Sequence, residues 1–307
     1  MKKITAIQIA IIFILGLIPI LWLREGYIIS NGDNIPASLN AAKAFGSSAS
    51  MWSPDFLGYA SPTPSYLLNT FLAAFFSDLG VSVGEIQILF QILLYMGAGF
   101  SMYYFTRKIY PNHSYAPFFA ALFYMLNFFI LMSRFNLGFT WTYAFLPLIL
   151  ALFVVSVNAA WRHDKKAANL GIIAFAIVSI VPFSIASVNP ANIALFLISL
   201  AVLAVYLLVK YRKALVPFAL TLGKLGLVTF LVNIWWLLPM INTFFISPQS
   251  LGASVNVASW SWTHQRASFL NLFWLNGTWG WNTYYIPKSL LDWYANPVVA
   301  FLMFVPF

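Results

Sequence analysis

Long apolar runs separated by short polar punctuation make up most of the chain, and the runs exceed what the core of a water-soluble domain uses. A hydrocarbon core about 30 Å thick takes roughly 20 apolar residues as helix. Windows 4–23, 86–105, 116–133, 139–158, 168–187, 191–209 and 225–246 have that length, and an eighth begins near 295 and is cut short at Phe307. The pattern predicts an all-α, polytopic transmembrane bundle of seven complete spans plus a truncated eighth. The whole of 1–307 then forms one membrane domain, the N-terminal part of a longer protein. Lys2 and Lys3 precede the first run, but its apolar stretch is long and no A-x-A-like cleavage site comes after it, so it reads as a retained anchor.

Residues 65–77 (SYLLNTFLAAFFS) form a shorter apolar run that suits a re-entrant or interfacial helix better than a span. It lies in the first of two long connections, 24–85 and 247–294; loops beyond about 12 to 15 residues are commonly functional or disordered. Both are rich in aromatic residues and are expected to be ordered against the membrane face.

Composition strengthens this picture. Of 307 residues, 62% are hydrophobic and only 7% charged, against about 25% charged in an ordinary soluble domain. Too few charges remain to clothe a water-facing surface, which excludes soluble globular, disordered and fibrous readings. The absence of cysteine removes disulfide scaffolds, thiolate metal sites and cysteine nucleophiles.

The formal net charge of +9 needs no nucleic acid to explain it. With a cytoplasmic N-terminus and one crossing per span, eleven Lys and Arg fall on cytoplasmic segments. Only five (Arg24, Lys43, Arg134, Arg266 and Lys288) fall outside, which is the positive-inside bias. If 65–77 crossed, this count would invert. Six of the seven acids then face outward, Asp164 alone being cytoplasmic. The orientation rests on Lys and Arg alone, so the skew of the acids is independent of it. It places any chemistry on the extracytoplasmic face, the inner loops being short and basic.

Asn31-Gly32-Asp33-Asn34 is a turn signal, and Pro36 is allowed in the first turn of a helix over about 35–45 capped by Asp33 or Asn34. Asp33 is therefore either a cap or a general base above the first span, where low-dielectric surroundings raise a carboxylate toward operating pH. Asp55, in WSPDFLG, reads chiefly as a turn acid, and Glu85 as a favourable charge at a helix N-terminus. Gln87 and Gln91, one helical turn apart, either bond a neighbouring helix or line a headgroup cavity. Arg134, Arg266 and His264 either lie along the interface or hold an anionic phosphate, for which a guanidinium fork is well shaped. Asn189, before Pro190, reads as a turn residue or a further contact. Trp235, Trp236 and Pro239 predict a kinked seventh span. Six of the twelve tryptophans lie in 247–294, where interfacial anchoring and stacking against sugar or prenyl groups fit equally well.

The order of these features resembles a known family. The pieces NGDN, MWSPDFLG, GVSVGEIQ, ASVNPAN and NIWWLLPMINTFFISPQS, spread over roughly 25–250, are similar to the membrane domain of the large arabinofuranosyltransferases of mycobacterial cell-wall synthesis. Those are GT-C class glycosyltransferases that use polyprenyl-phosphate sugars. YfhO-type membrane proteins, with a similar first loop, fit nearly as well. The resemblance implies a polyprenyl-phosphate-linked sugar as donor, a cell-envelope glycan or glycolipid as acceptor, and Asp33 as the catalytic carboxylate. The family's Gln that matches Gln87 is followed by Arg, whereas Ile88 stands at that place here, so donor-phosphate contact shifts to Arg134 or Arg266. No cofactor is implied; a divalent metal occurs in some GT-C enzymes, but these loop acids are too scattered to be named ligands. A lipid or glycan transporter or flippase is the alternative, weakened by the absence of internal repeats and of mid-span charges. A non-catalytic membrane scaffold is the third reading.

Overall fold

The computed structural model describes residues 2–22, 27–28, 37–53, 59–61, 63–127, 129–130, 137–186, 190–210 and 215–246. Among them are nine α-helices: α1 (Lys2–Gly16), α2 (Ala41–Ser48), α3 (Leu67–Asp78), α4 (Val83–Ile109), α5 (Ala116–Leu126), α6 (Leu137–Trp161), α7 (Lys165–Ala186), α8 (Pro190–Lys210) and α9 (Leu215–Ile246). The only strands among the described residues are a two-residue antiparallel pair, Trp52 opposite Ala60 and Ser53 opposite Tyr59.

Among the described residues, six helical stretches are long and apolar enough to cross a membrane: Ile4–Trp22, Val83–Ile109, Gly138–Trp161, Lys165–Ile185, Asn192–Lys210 and Leu215–Asn242. Their surfaces agree with that reading. Only 17% of the residues are buried in the apolar windows of both α8 and α9, leaving side chains such as Leu195, Val202, Leu220 and Leu227 exposed in continuous faces. Water would not tolerate apolar patches of that extent. The molecule is an all-helical, multi-pass bundle of the membrane type.

Helix ends obey local chemistry. Past Gly16, α1 tightens into a 3-10 turn over Ile18–Trp22, with Leu17 N–H on Ile14 O (3.1 Å) and Ile20 N–H on Leu17 O (2.9 Å). Pro19, which brings no N–H, sits in this turn. α4 opens on a capping box: Ser82 Oγ accepts Glu85 N–H, while the Glu85 carboxylate accepts from Ser82 N at 2.8 Å and Oγ at 2.7 Å. Glu85 is thus occupied at the helix start, as its N-terminal position suggested. In the first long connection the expected helix over 35–45 starts later. A 3-10 turn, Ala37–Asn40, leads into α2, whose N-cap is Asn40, accepting Lys43 N–H at 3.1 Å. Neither Asp33 nor Asn34 caps α2.

α3 has 12 residues, about 18 Å of helix, too short for the hydrocarbon core. It packs on α2 and is separated from α4 by four residues. α4 lies against α1, α5 and α6, α6 pairs most extensively with α7, and α9 lies along α7. Two apolar clusters result. One joins α1, α3, α4 and α5 to the start of α6 (Ile12, Ala73, Ile86, Tyr95, Met125, Trp141); the other joins the remainder of α6 to α7, α8 and α9 (Phe153, Phe175, Phe196, Phe218). α6 belongs to both and ties the bundle together.

The window 116–133 contains a break. α5 spans 11 residues, and Asn127 closes it, donating Nδ2–H to Phe123 O (3.2 Å), Tyr124 O (2.9 Å) and the Tyr143 hydroxyl, while its Oδ1 accepts Ile130 N–H at 3.2 Å. Pro147 inside α6 leaves the carbonyl of Tyr143 without its helical N–H, and the Tyr124 hydroxyl fills that vacancy at 2.7 Å. Tyr143 returns its own hydroxyl to Tyr124 O at 2.8 Å, with the two rings stacked 4.0 Å apart. Polar backbone exposed within an apolar bundle needs such partners.

α9 departs from expectation at its start. It begins at Leu215 and runs through Pro239 as one helix of 32 residues, with Trp236 Nε1–H bonded to Asn233 Oδ1 at 2.7 Å and Asn233 Nδ2–H to Ser179 Oγ on α7 at 3.0 Å. Lys224 thus lies inside the helix and exposed, nine residues from its start, rather than in a loop before it. At about 48 Å this helix is longer than a hydrocarbon core, so a lysine there reaches the interface along its stem.

Candidate functional site

The three-residue connection 162–164 makes α6 and α7 an antiparallel hairpin, and the stretch 187–189 joins α7 to α8 at the opposite end. α4 and α6 run the same way, since Phe90 meets Trp141 near their starts (6.5 Å between ring centroids) and their last turns wall one cleft. The bundle therefore has two distinct ends. At one lie the starts of α4, α6 and α8 together with α2 and α3, of which α3 packs on α4; at the other, Arg107, Lys108 and Arg162 come together.

The first, loop-bearing end is where the sequence placed catalysis. Asp33, Asp55, Arg134, Asn189, His264 and Arg266 all lie outside the described residues. Gln91 is buried in the third turn of α4 and Gln87, one turn earlier, is half-buried. Neither lines the clefts at the opposite end of the bundle. The turn Thr63–Tyr66 packs on α7 and α9 and carries the chain into α3. Burial pushes the Tyr66 phenol above its ordinary range, so it stays neutral there.

This end holds three buried polar atoms without partners, a further one among the described residues, Thr229 Oγ1, lying midway along α9. Among the described residues, Asn69 Oδ1 on α3, Trp141 Nε1 on α6 and Asn192 Oδ1 on α8 are buried and make no hydrogen bond. Each lies within the first turns of its helix, on the side of the molecule from which the long loop 24–85 extends. A buried polar atom left unmatched is costly, so such groups call for water, a ligand or loop backbone to meet them. The sequence signal was available: an Asn near the start of two apolar helices and a Trp near the start of a third. Among the described residues, no three His, Asp or Glu side chains converge on a point where a metal ion would sit.

The second end was read from the sequence as merely basic, yet it holds a cleft of about 940 Å³. On α4 it is walled by Phe100, Tyr103, Tyr104, Arg107 and Lys108, on α6 by Val155, Asn158 and Ala159, and just past the end of α6 by Arg162. Arg107 donates to the Tyr103 hydroxyl at 3.3 Å; that hydroxyl donates in turn to buried Gln8 Oε1 at 3.1 Å, and Gln8 Nε2–H reaches Ser114 O at 3.0 Å. α1, α4 and the turn after α4 are thereby locked around the cleft. Lys108 Nζ lies 5.0 Å from the centre of the Tyr104 ring, a cation–π distance. Asp164 faces the cleft too, but its Oδ1 caps α7 by accepting Ala167 N–H at 2.9 Å. The sequence held a trace of this site in the i, i+4 pairs Tyr103–Arg107, Tyr104–Lys108 and Asn158–Arg162, and in Gln8 within an otherwise apolar run.

Compared with protein-family models, with curated proteins and with solved structures, the chain matches none at a significant level. Its class therefore rests on its own architecture: a multi-pass helical bundle with one polar, loop-bearing end and one basic end.

Proposed function

We propose that the chain is the membrane domain of a GT-C class glycosyltransferase working at its loop-bearing end. The loop-bearing face is extracytoplasmic and the basic end cytoplasmic, in a plasma membrane crossed seven times, the broken segment 116–133 included. A polyprenyl-phosphate sugar, by family resemblance an arabinofuranose, enters from the outer leaflet. The Asp33 carboxylate takes the proton of an acceptor hydroxyl on a cell-envelope glycan or glycolipid. The freed oxygen bonds to the anomeric carbon as the bond to the polyprenyl phosphate breaks, and the single displacement inverts that centre. Arg134 or Arg266 offsets the charge on the departing phosphate, an electrostatic contribution of several kcal/mol in such sites.

The observation that supports this reading is the trio of unpartnered buried polar atoms, on Asn69, Trp141 and Asn192, at the end that carries the 24–85 loop. A purely structural bundle end would satisfy them internally; a cavity for a hydroxyl-rich ligand would not need to. The test is Asp33→Asn in the full-length protein, assayed for sugar transfer from a polyprenyl-phosphate donor. Transfer should drop at least a hundredfold, the usual contribution of a general base, with expression unchanged. Undiminished turnover would remove Asp33 from the mechanism.

A further inference from the structure

We propose that the cleft at the basic end binds the phosphate of an anionic phospholipid, with the acyl chains lying along Phe100 and Val155. This inference is independent of the glycosyltransferase reading, because it concerns the opposite end of the bundle.

The argument starts from a repeated order of side chains. α4 presents Phe100, Tyr103 and Arg107 at intervals of three and four residues, which is one helical face; Val155 and Asn158 on α6 and Arg162 just past its end, whose N–H still reaches Asn158 O at 3.1 Å, follow at the same intervals. The two helices run the same way, so both faces pass from apolar through polar to cationic in the same direction. Seven residues of helix separate the apolar level from the cations, about 10 Å. An amphiphile has this profile: an anionic head at the rim, a polar glycerol region, then hydrocarbon. A small free anion would have no use for the apolar level.

The charge balance fits a phosphate. Arg107, Lys108 and Arg162 line the cleft, with Asp164 as the one acid on it, and that acid is held by the α7 backbone. Lys108 is stationed over Tyr104, and Arg107 has one of its five donors on Tyr103, which orients the fork without exhausting it. Among the described residues, the Arg162 guanidinium makes no hydrogen bond or ion pair, so its fork is open to a phosphate. Basic pockets between helices at a membrane surface are suited to anionic headgroups. The volume of about 940 Å³ accommodates a headgroup with the first part of its chains, pockets for ligands of that size running to roughly 1,000 Å³.

The experiment titrates the purified full chain in detergent with dioctanoyl phosphatidylglycerol and tracks its thermal unfolding midpoint, since a ligand that binds only the folded state raises it. Dioctanoyl phosphatidylcholine and inorganic phosphate serve as parallel arms. Phosphatidylglycerol should raise the midpoint saturably and phosphatidylcholine should not. Arg162→Gln should weaken the apparent affinity at least tenfold while leaving the lipid-free midpoint at the parent value, and Arg162→Lys should fall between. Asp33→Asn should bind phosphatidylglycerol like the parent, whatever its transfer activity. Equal effects of the two lipids, or unaltered phosphatidylglycerol binding by Arg162→Gln and Arg107→Gln alike, would overturn the site. Inorganic phosphate acting as strongly as phosphatidylglycerol at equal concentration would overturn the lipid assignment.

Discussion

His163 has φ of 58°, the left-handed region, which glycine enters without cost and other residues do not. It stands there because α6 ends in a Schellman turn: His163 N–H reaches Ala160 O at 3.0 Å and Asp164 N–H reaches Ala159 O at 3.0 Å. Relief of roughly 1–2 kcal/mol of left-handed strain, less the extra freedom glycine gives the unfolded chain, leaves a net gain of about 0.5 to 1 kcal/mol. His163→Gly should therefore raise the thermal unfolding midpoint in detergent; an unchanged or lower midpoint would mean the imidazole makes up for the strain. In the sequence WRHDKK nothing distinguishes His163 from its basic neighbours, because the demand for a left-handed residue comes from where α6 must stop. Glu85 was legible as a charge at a helix N-terminus, and the structure adds its capping box with Ser82. Asn40 was not, because Asp33 and Asn34 beside Pro36 offered a stronger local cap signal farther upstream.

At the scale of helices, the α6–α7 pair depends on a missing side chain. A β-carbon on Gly171 would stand 2.5 Å from Ser156 Oγ and 3.3 Å from Ser156 Cα, so the helices approach closely because glycine is there. The Ser156 hydroxyl is fixed by its bond to Leu152 O at 2.8 Å and does not swing freely aside. Gly171→Ala should destabilise by about 1 to 3 kcal/mol, the range for overpacking, read as a lowered unfolding midpoint. Adding Ser156→Ala should recover part of the loss, since neighbouring sites couple; purely additive effects would place the strain elsewhere. Span lengths were readable because the bilayer encodes them as run length. The break at Asn127 was not: apolar residues flank it on both sides, and the hydroxyl of Tyr143 that Asn127 bonds there belongs to another helix. The start of α9 was misplaced for the converse reason, Lys224 looking like a boundary when the helix simply carries it outward.

For the whole molecule, the number of crossings fixes which aqueous phase each end meets. α4 and α6 are parallel, so between Ile109 and Leu137 the chain returns from the basic end to the loop-bearing one. The seven-span sequence reading assigns this return to 116–133, of which the described helix α5 covers 11 residues, short of a span. In the proposed orientation, which follows the excess of Lys and Arg on one end, the cleft of Arg107 and Arg162 faces the cytoplasm and α2 and α3 lie outside. Because the chain has no cysteine, single thiols can be introduced without a background. Gly46 is exposed with nothing within 4 Å of where a β-carbon would stand, Leu79 is 65% exposed at the end of α3, and Asn112 is exposed in the turn after α4. In intact cells a membrane-impermeant maleimide should modify Gly46→Cys and Leu79→Cys but leave Asn112→Cys untouched until the membrane is opened. Since α4 alone separates Leu79 from Asn112, labelling of both from the same side would deny that α4 crosses. Labelling of Asn112→Cys alone in intact cells would invert the bundle, putting the 24–85 loop and Asp33 in the cytosol, where an outer-leaflet sugar donor does not reach.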